Sequence, residues 1–248
     1  MTIDIHTHLG PDRMSARHVQ RADVTEHAST LVEKMDEFGI KKAVLTPVAP
    51  YIPTEIYMEA ANIHPDRLLA ACSVMPRPIS VAREQLESYA DQGAVALVLE
   101  ESMFYPEDPA VTTIVHVAVK KGLPVFFHSA NISNGMLKLI DRVTETFPEG
   151  RFVLLHMGGL FGFPRTTSLI GRENLWLEIS STIIKLVESP LRVFLDAVAQ
   201  DRGVRRLVFG SEHHTDYPHL LAALNMMSLN VETSRAIMHE NAERILGV

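Results

Sequence analysis

Cys72 is the only cysteine in 248 residues, so no internal disulfide can form, and a reducing, cytoplasmic setting is expected. Its neighbours from residue 68 to 74 are mostly apolar, which gives the thiol a packing role. No apolar run approaches the roughly 20 residues needed to cross a membrane. Neither a basic segment nor an apolar signal region precedes the first strand, so no membrane partner is expected. Clustered positive charge is also scarce. Lys and Arg total 23 against 30 Asp and Glu, for a net charge of -7. Phosphate backbones require concentrated Lys and Arg, so nucleic acid is excluded as the main partner. The densest basic group, Arg202, Arg205 and Arg206, is broken by Gly203 and reads as a solvated connection. No Gly-x-Ser-x-Gly elbow surrounds Ser180 or Ser181, so these serines read as caps of the next turn rather than nucleophiles. No linker, repeat or low-complexity segment divides the chain, and one domain over residues 1–248 is expected.

Apolar runs of strand length alternate with stretches of helical period along the whole sequence. Strands are expected at residues 2–8, 42–46, 68–74, 94–99, 124–128, 151–156, 174–180 and 206–210. Helices are expected at 25–38, 54–63, 80–91, 108–121, 133–147, 160–170, 187–200, 218–227 and 231–246. Asp108 followed by Pro109 is a cap with proline at the first helical position. Gly39, Gly93 and Gly122 are stops. The strands are rich in Val, Leu, Ile and Phe without strict alternation, as expected for parallel strands buried on both faces. Eight strands, each followed by a helix, predict an α/β chain closed into a (β/α)8 TIM barrel. The rival, a doubly wound open sheet, would place a glycine-rich phosphate turn after its first strand. That position holds His6-Thr7-His8-Leu9-Gly10 instead.

The first strand is the most informative stretch. Alternation puts Ile3 and Ile5 on one face, and Asp4, His6 and His8 on the other. Asp4 reads as structural. Two imidazoles two residues apart converge on one point, and neutral imidazole is a common ligand for zinc and other transition metals. In barrels of this kind the chemistry sits at the C-terminal ends of the strands. The fifth strand ends in His128, the sixth in His156 and the eighth in Glu212. Three histidines and one carboxylate can surround a divalent metal and leave a position for water. His156 is then free to act as acid or base on that water.

Five segments together resemble the amidohydrolase-related family, the branch of the amidohydrolase superfamily that includes aminocarboxymuconate-semialdehyde decarboxylase and its hydrolase relatives. They are Asp4-Ile5-His6-Thr7-His8, the run 123–128 ending in His128, His156-Met157-Gly158-Gly159, Phe209-Gly210-Ser211-Glu212, and the run 241–246. They extend over essentially the whole chain. The resemblance implies that His6, His8 and His128 bind a metal, usually zinc. It implies that the strand-eight acid binds the metal or its water and moves protons, and that His156 polarises water or substrate. Family members are hydrolases or non-oxidative decarboxylases.

Two departures stand out. The family has Asp where this chain has Glu212, one methylene longer, which shifts the carboxylate by roughly 1–1.5 Å. Either Glu212 still binds the metal, bidentately, or His213 or His214 shares its work. Two-metal relatives bridge their ions with a strand-four lysine or glutamate, whereas residues 94–99 are wholly apolar. Glu100 and Glu101, just beyond, are expected to face solvent, so one divalent ion, Zn2+, is favoured.

The leading expectation is a metal-dependent hydrolase in which activated water attacks an amide, ester or lactone carbonyl. The alternative on the same centre is decarboxylation of an aromatic or dienoic acid. A metal-retaining protein with little turnover is a lesser one, and a metal-dependent nuclease or phosphatase sits poorly with the acidic balance. A substrate carboxylate needs an arginine clamp, for which Arg13 and Arg165 are candidates, with Phe104 and Tyr105 as pocket walls. Phe161 and Phe163 are further wall candidates, and Arg17 and Arg21 share the first loop with Arg13. Glu178, on one face of its strand with Trp176, is a candidate to hydrogen-bond the ligand histidines from behind. The partner is a small-molecule substrate, and a homodimer is the default assembly for such an enzyme.

Overall fold

Nine short strand segments, all paired in parallel, form the frame of the computed structural model, which describes residues 1–169, 171–193, 195, 205–227 and 229–247. β1 (Thr2–Thr7), β2 (Ile40–Leu45) and β3 (Leu68–Ala70) make one run. β4 (Cys72–Ser73), β5 (Leu97–Glu100), β6 (Val125–His128), β7 (Phe152–Leu154), β8 (Leu175–Glu178) and β9 (Leu207–Val208) make the other. β3 and β4 are one stave interrupted at Ala71. There Ala71 N donates to Leu45 O at 2.9 Å, and Cys72 N donates to Ala96 O at 2.8 Å. The ring closes because Ile5 N donates to Phe209 O at 3.1 Å and Thr7 bridges Glu212 in parallel. The result is the expected eight-staved barrel.

Its helices are α1 (Val24–Phe38), α2 (Thr54–Ile63), α3 (Ile79–Asp91), α4 (Pro109–Lys120), α5 (Asn134–Thr146), α6 (Phe163–Thr166), α7 (Ser180–Leu186), α8 (Tyr217–Met226), α9 (Val231–Arg235) and α10 (Asn241–Leu246). The caps follow the local chemistry. Asp108 accepts from Ala110 N, Ser133 accepts from Met136 N, and Gly39 ends α1 at φ 70°. None of the described helices is long and apolar enough to cross a membrane. Two apolar layers result. Ile3, Ile5, Val44, Val98, Phe126, Val153, Trp176 and Val208 fill the barrel, whose floor is closed by Ala242 and Ile245 of α10. The other strand faces pack against the helices.

Three expectations need correction. Ser180 and Ser181 lie inside α7, which starts immediately after β8, while the helix expected from residue 187 begins with turns. Residues 196–204 of that helix and its connection, including Arg202 and Gly203, lie outside the described residues. The segment at 160–170 shrinks to one turn at α6 plus a 3-10 turn, because Pro164 can occupy only a first turn. The faces of β1 also differ from strict alternation. Asp4 pairs with Ala43 and Thr7 with Leu45, so Ile5 and His6 together oppose Val44. This bulge lets Ile3 and Ile5 point into the barrel and still turns His6 and His8 inward. Asp4 points the other way, towards Tyr217 of α8.

Candidate metal centre

The bulge places His6 and His8 so that their Nε2 atoms stand 3.4 Å apart. Each ring is held through its other nitrogen. His8 Nδ1 lies 2.8 Å from the carbonyl oxygen of Thr46, which only a donor can satisfy. His6 Nδ1 lies 3.1 Å from Glu178 Oε2. That oxygen also accepts from the His156 backbone N–H at 2.9 Å, and in its ionised form Glu178 accepts from His6 as well. Both protons therefore sit on Nδ1, and two Nε2 lone pairs face each other with no hydrogen between them. Such a pair is repulsive alone and is satisfied by a cation.

His128 and His156 complete a cluster of imidazoles. Ring centroids are 6.3 Å apart for His6 and His128, 5.0 Å for His6 and His156, and 4.8 Å for His128 and His156. His156 Nδ1 is 2.6 Å from Ser180 Oγ. His156 sits just after β7 in a left-handed turn, φ 56°, followed by Met157 at φ 54°. Bulky residues rarely adopt that region, so the surrounding bonds must hold it. Gly159 permits the turn, since a Cβ there would meet Ala130 O at 2.0 Å.

Glu178 ties the deep side together. It is fully buried, and its Oε1 accepts from Ser180 N at 2.6 Å. Gly210 makes room for it, because a Cβ at 210 would lie 2.6 Å from Oε1. Donor atoms of His6, His156 and Glu178 fall within 4.8 Å of one another, a second conceivable ligand set. The carboxylate oxygens on that side are already occupied by N–H donors. The open coordination side is therefore the Nε2 face, with Glu178 as its support.

Burial dominates the electrostatics. It pushes His6 down to about 3 and holds His8 and His156 well below the usual imidazole range, with neighbouring imidazoles adding to the effect. Neutral histidine is the form that binds a metal. Burial pushes Glu178 up to about 7 in spite of its N–H donors. Asp4 is likewise pushed up to about 7, while Ser211, Tyr217 and the His6 backbone donate to it.

At the mouth, Glu212 has φ 66°, and its backbone is sewn to β1 by Glu212 N to His6 O at 2.8 Å and His8 N to Glu212 O at 2.9 Å. Its Oε2 lies 3.3 Å from Arg13 Nη1, and Arg13 also reaches Asp216 at 3.5 Å. His213 is held by Gly10 O and Thr215 Oγ1, and the ring of His214 lies against it, centroids 4.1 Å apart and tilted by 37°. His213 is therefore unavailable to share the work of Glu212, and His214 is packed beside it. Arg165 donates to Ile132 O at 2.5 Å and Asn134 Oδ1 at 3.1 Å, which makes it a loop anchor. Phe104 packs against the outer apolar layer, Phe163 is buried in it, and Tyr105 and Phe161 are 81% and 74% exposed. Glu100, expected in solvent, turns inward and contacts His128 Nδ1. It is the first polar residue at the end of its strand, the same signal that singled out His128. Thr46 and Ser180 close the expected strands 42–46 and 174–180, but the sequence does not show that they hold His8 and His156.

A family model described as amidohydrolase matches residues 3–248. None of the curated proteins compared matches the chain. Among solved structures, a probable 2-pyrone-4,6-dicarboxylic acid hydrolase from Acinetobacter baumannii, with citric acid bound, is 18% identical with a TM-score of 0.75, covering 100% of this chain and 99% of that one. The 2,6-dihydroxybenzoate decarboxylase from Rhizobium is 17% identical with a TM-score of 0.73, covering 99% and 98%. A dihydroxybenzoic acid decarboxylase from Polaromonas, with bound manganese and 2-nitroresorcinol, is 17% identical with a TM-score of 0.67, covering 99% and 96%. At these identities the likeness establishes the barrel, not the reaction.

Proposed function

The chain belongs to the amidohydrolase family, and from that premise we propose that it is a metal-dependent hydrolase acting on an amide, ester or lactone of a small molecule. His6, His8 and His128 hold one divalent ion, zinc in this reading, with Glu212 beside them. The observation that carries the reading is the Nε2 pair of His6 and His8, which face each other at 3.4 Å while both Nδ1 atoms are tied to acceptors. A bound divalent ion supplies Lewis acidity and lowers the pKa of water from about 15.7 towards about 7. His156, neutral and held through Nδ1 by Ser180, offers Nε2 to take a proton from the attacking water and return it to the leaving group. Glu212, restrained by Arg13, accepts the second proton at the mouth.

Decarboxylation is the second reading, favoured by the solved neighbours named as decarboxylases. It needs a guanidinium free to hold a substrate carboxylate. Arg13 is engaged by Glu212 and Asp216, and Arg165 by the loop at 132–134, which ranks this reading below hydrolysis.

The test pairs chelation and metal reconstitution with two assays, turnover of a lactone, ester and amide panel and carbon dioxide release from dihydroxybenzoates. Hydrolysis lost on chelation, restored by Zn2+ and absent in His6→Ala is the expected result. Full activity after complete metal removal overturns both readings. Carbon dioxide release without hydrolysis selects the second.

A further inference from the structure

Of the three histidines read as ligands, His6 and His8 have Nδ1 partners rooted deep in the fold, a buried carboxylate and a backbone carbonyl. His128 has neither. Its Nδ1 is buried, and the group in contact with it is Oε2 of Glu100. The contact follows from the sheet. Glu100 closes β5 directly opposite His128 at the end of β6, so the two side chains leave the barrel wall on the same face. The carboxylate is itself pinned, because Oε1 accepts from Ser102 N at 3.2 Å.

We propose that Glu100 is a positioning residue of the metal centre, fixing the His128 ring through Nδ1 and aiming Nε2 at the ion. Without it, a ring whose side chain is 25% exposed can turn about its χ angles and offer Nδ1 to water. A carboxylate partner also makes the imidazole a stronger donor to a metal. The inference rests on the reading of His128 as a ligand.

Metal binding tests it without a known substrate. The metal-free full chain is titrated with Zn2+ in competition with a chromophoric chelator, and with Co2+ followed by visible absorption. The wild type is expected to bind one equivalent. Glu100→Ala is expected to weaken Zn2+ binding by about 10–100-fold and to shift the Co2+ bands. Glu100→Gln, whose amide oxygen still accepts from Nδ1–H, recovers most of the loss. In a His128→Ala background, Glu100→Ala has no further effect on affinity. Glu100→Ala with wild-type affinity and spectrum overturns the inference alone. A fall from two equivalents to one makes Glu100 a ligand and overturns it as well. A wild-type chain that binds neither ion overturns the metal-centre reading and this inference with it.

Discussion

His6 and His128 belong to one cluster, 6.3 Å between ring centroids, yet they are held in different ways. His6 is fully buried, and Glu178 behind it gathers donors from three places, the His6 ring and the backbones of His156 and Ser180. His128 stands at the rim with its side chain 25% exposed, against Glu100 at 19%. The other rim pair, Glu212 with Arg13, is 18% and 39% exposed. In the deep half a missing partner leaves a buried N–H with nothing to replace it. At the rim water can substitute, so loss of a partner costs orientation more than stability. In the proposed centre, rigid support behind His6 and replaceable support behind His128 suit a site that fixes an ion yet admits a substrate.

The largest expected effect lies at Glu178. Glu178→Ala strips acceptors from the His6 ring and from two backbone N–H groups, all buried. Removing the carboxylate also relieves the burial that raises its pKa, so the net loss is set at about 3 kcal/mol, from roughly 1–3 kcal/mol for each unpaired donor. Denaturant unfolding of the metal-free variant measures it. Zn2+ affinity is expected to fall by about 10–100-fold, as at Glu100, but here with loss of stability. A Glu178→Ala protein as stable as wild type would erase the distinction between the two halves.

Acid provides the next test. His6, His8, His156, His213 and His214 all have folded values below 6.5, burial being the first cause in each. On unfolding below pH 6.5 each takes up a proton it could not hold in the fold. Stability that is full above 6.5 is therefore lost as pH falls towards about 4, where His214 titrates, and on towards about 3 for His6. Asp4 and Glu178 work in the opposite sense. Raised to about 7 in the fold, they release protons on unfolding between roughly pH 4 and 7, and so favour the folded state at the acid end of that window. The histidines outnumber the acids, so unfolding takes up protons, each net proton being worth about 1.4 kcal/mol per pH unit. Denaturation midpoints of the metal-free protein at pH 7, 6 and 5 should fall in that order. A flat profile would mean that the deep imidazoles are not held neutral by burial.

The barrel was legible because it is written in repetition. Short apolar runs, capped helices and glycine stops recur at each unit, and local signals suffice to find them. The strand-end histidines were legible for the same reason, each closing an apolar run. Other parts depend on contacts that no local pattern encodes. The β1 bulge is set by pairing with β2, so strict alternation misplaced Asp4. The early start of α7 is hidden because Ile179, after Glu178, continues the alternating strand pattern of β8. Glu100 was assigned to solvent because nothing within its own strand reveals that His128 stands opposite. Arg13 and Arg165 are clamp candidates by sequence, and only the folded chain shows what each already holds.

The smallest expected effect is at the rim, at Arg13. Its guanidinium touches Glu212 at 3.3 Å and Asp216 at 3.5 Å, and it is 39% exposed. Exposed ion pairs of this sort contribute about 0–1 kcal/mol, because water screens them and two long side chains must be held still. Arg13→Ala should therefore change the unfolding free energy by an amount within that range, and the small difference should shrink further in high salt. Zn2+ affinity should change little, since the His6 and His8 rings are held from behind by Glu178 and Thr46, with no part played by Arg13. Turnover responds differently if Arg13 restrains Glu212 as a proton acceptor, in which case kcat falls while metal content stays constant. A loss of metal affinity in Arg13→Ala as large as that in Glu178→Ala would show that Glu212 binds the ion firmly and that the rim is as rigid as the floor.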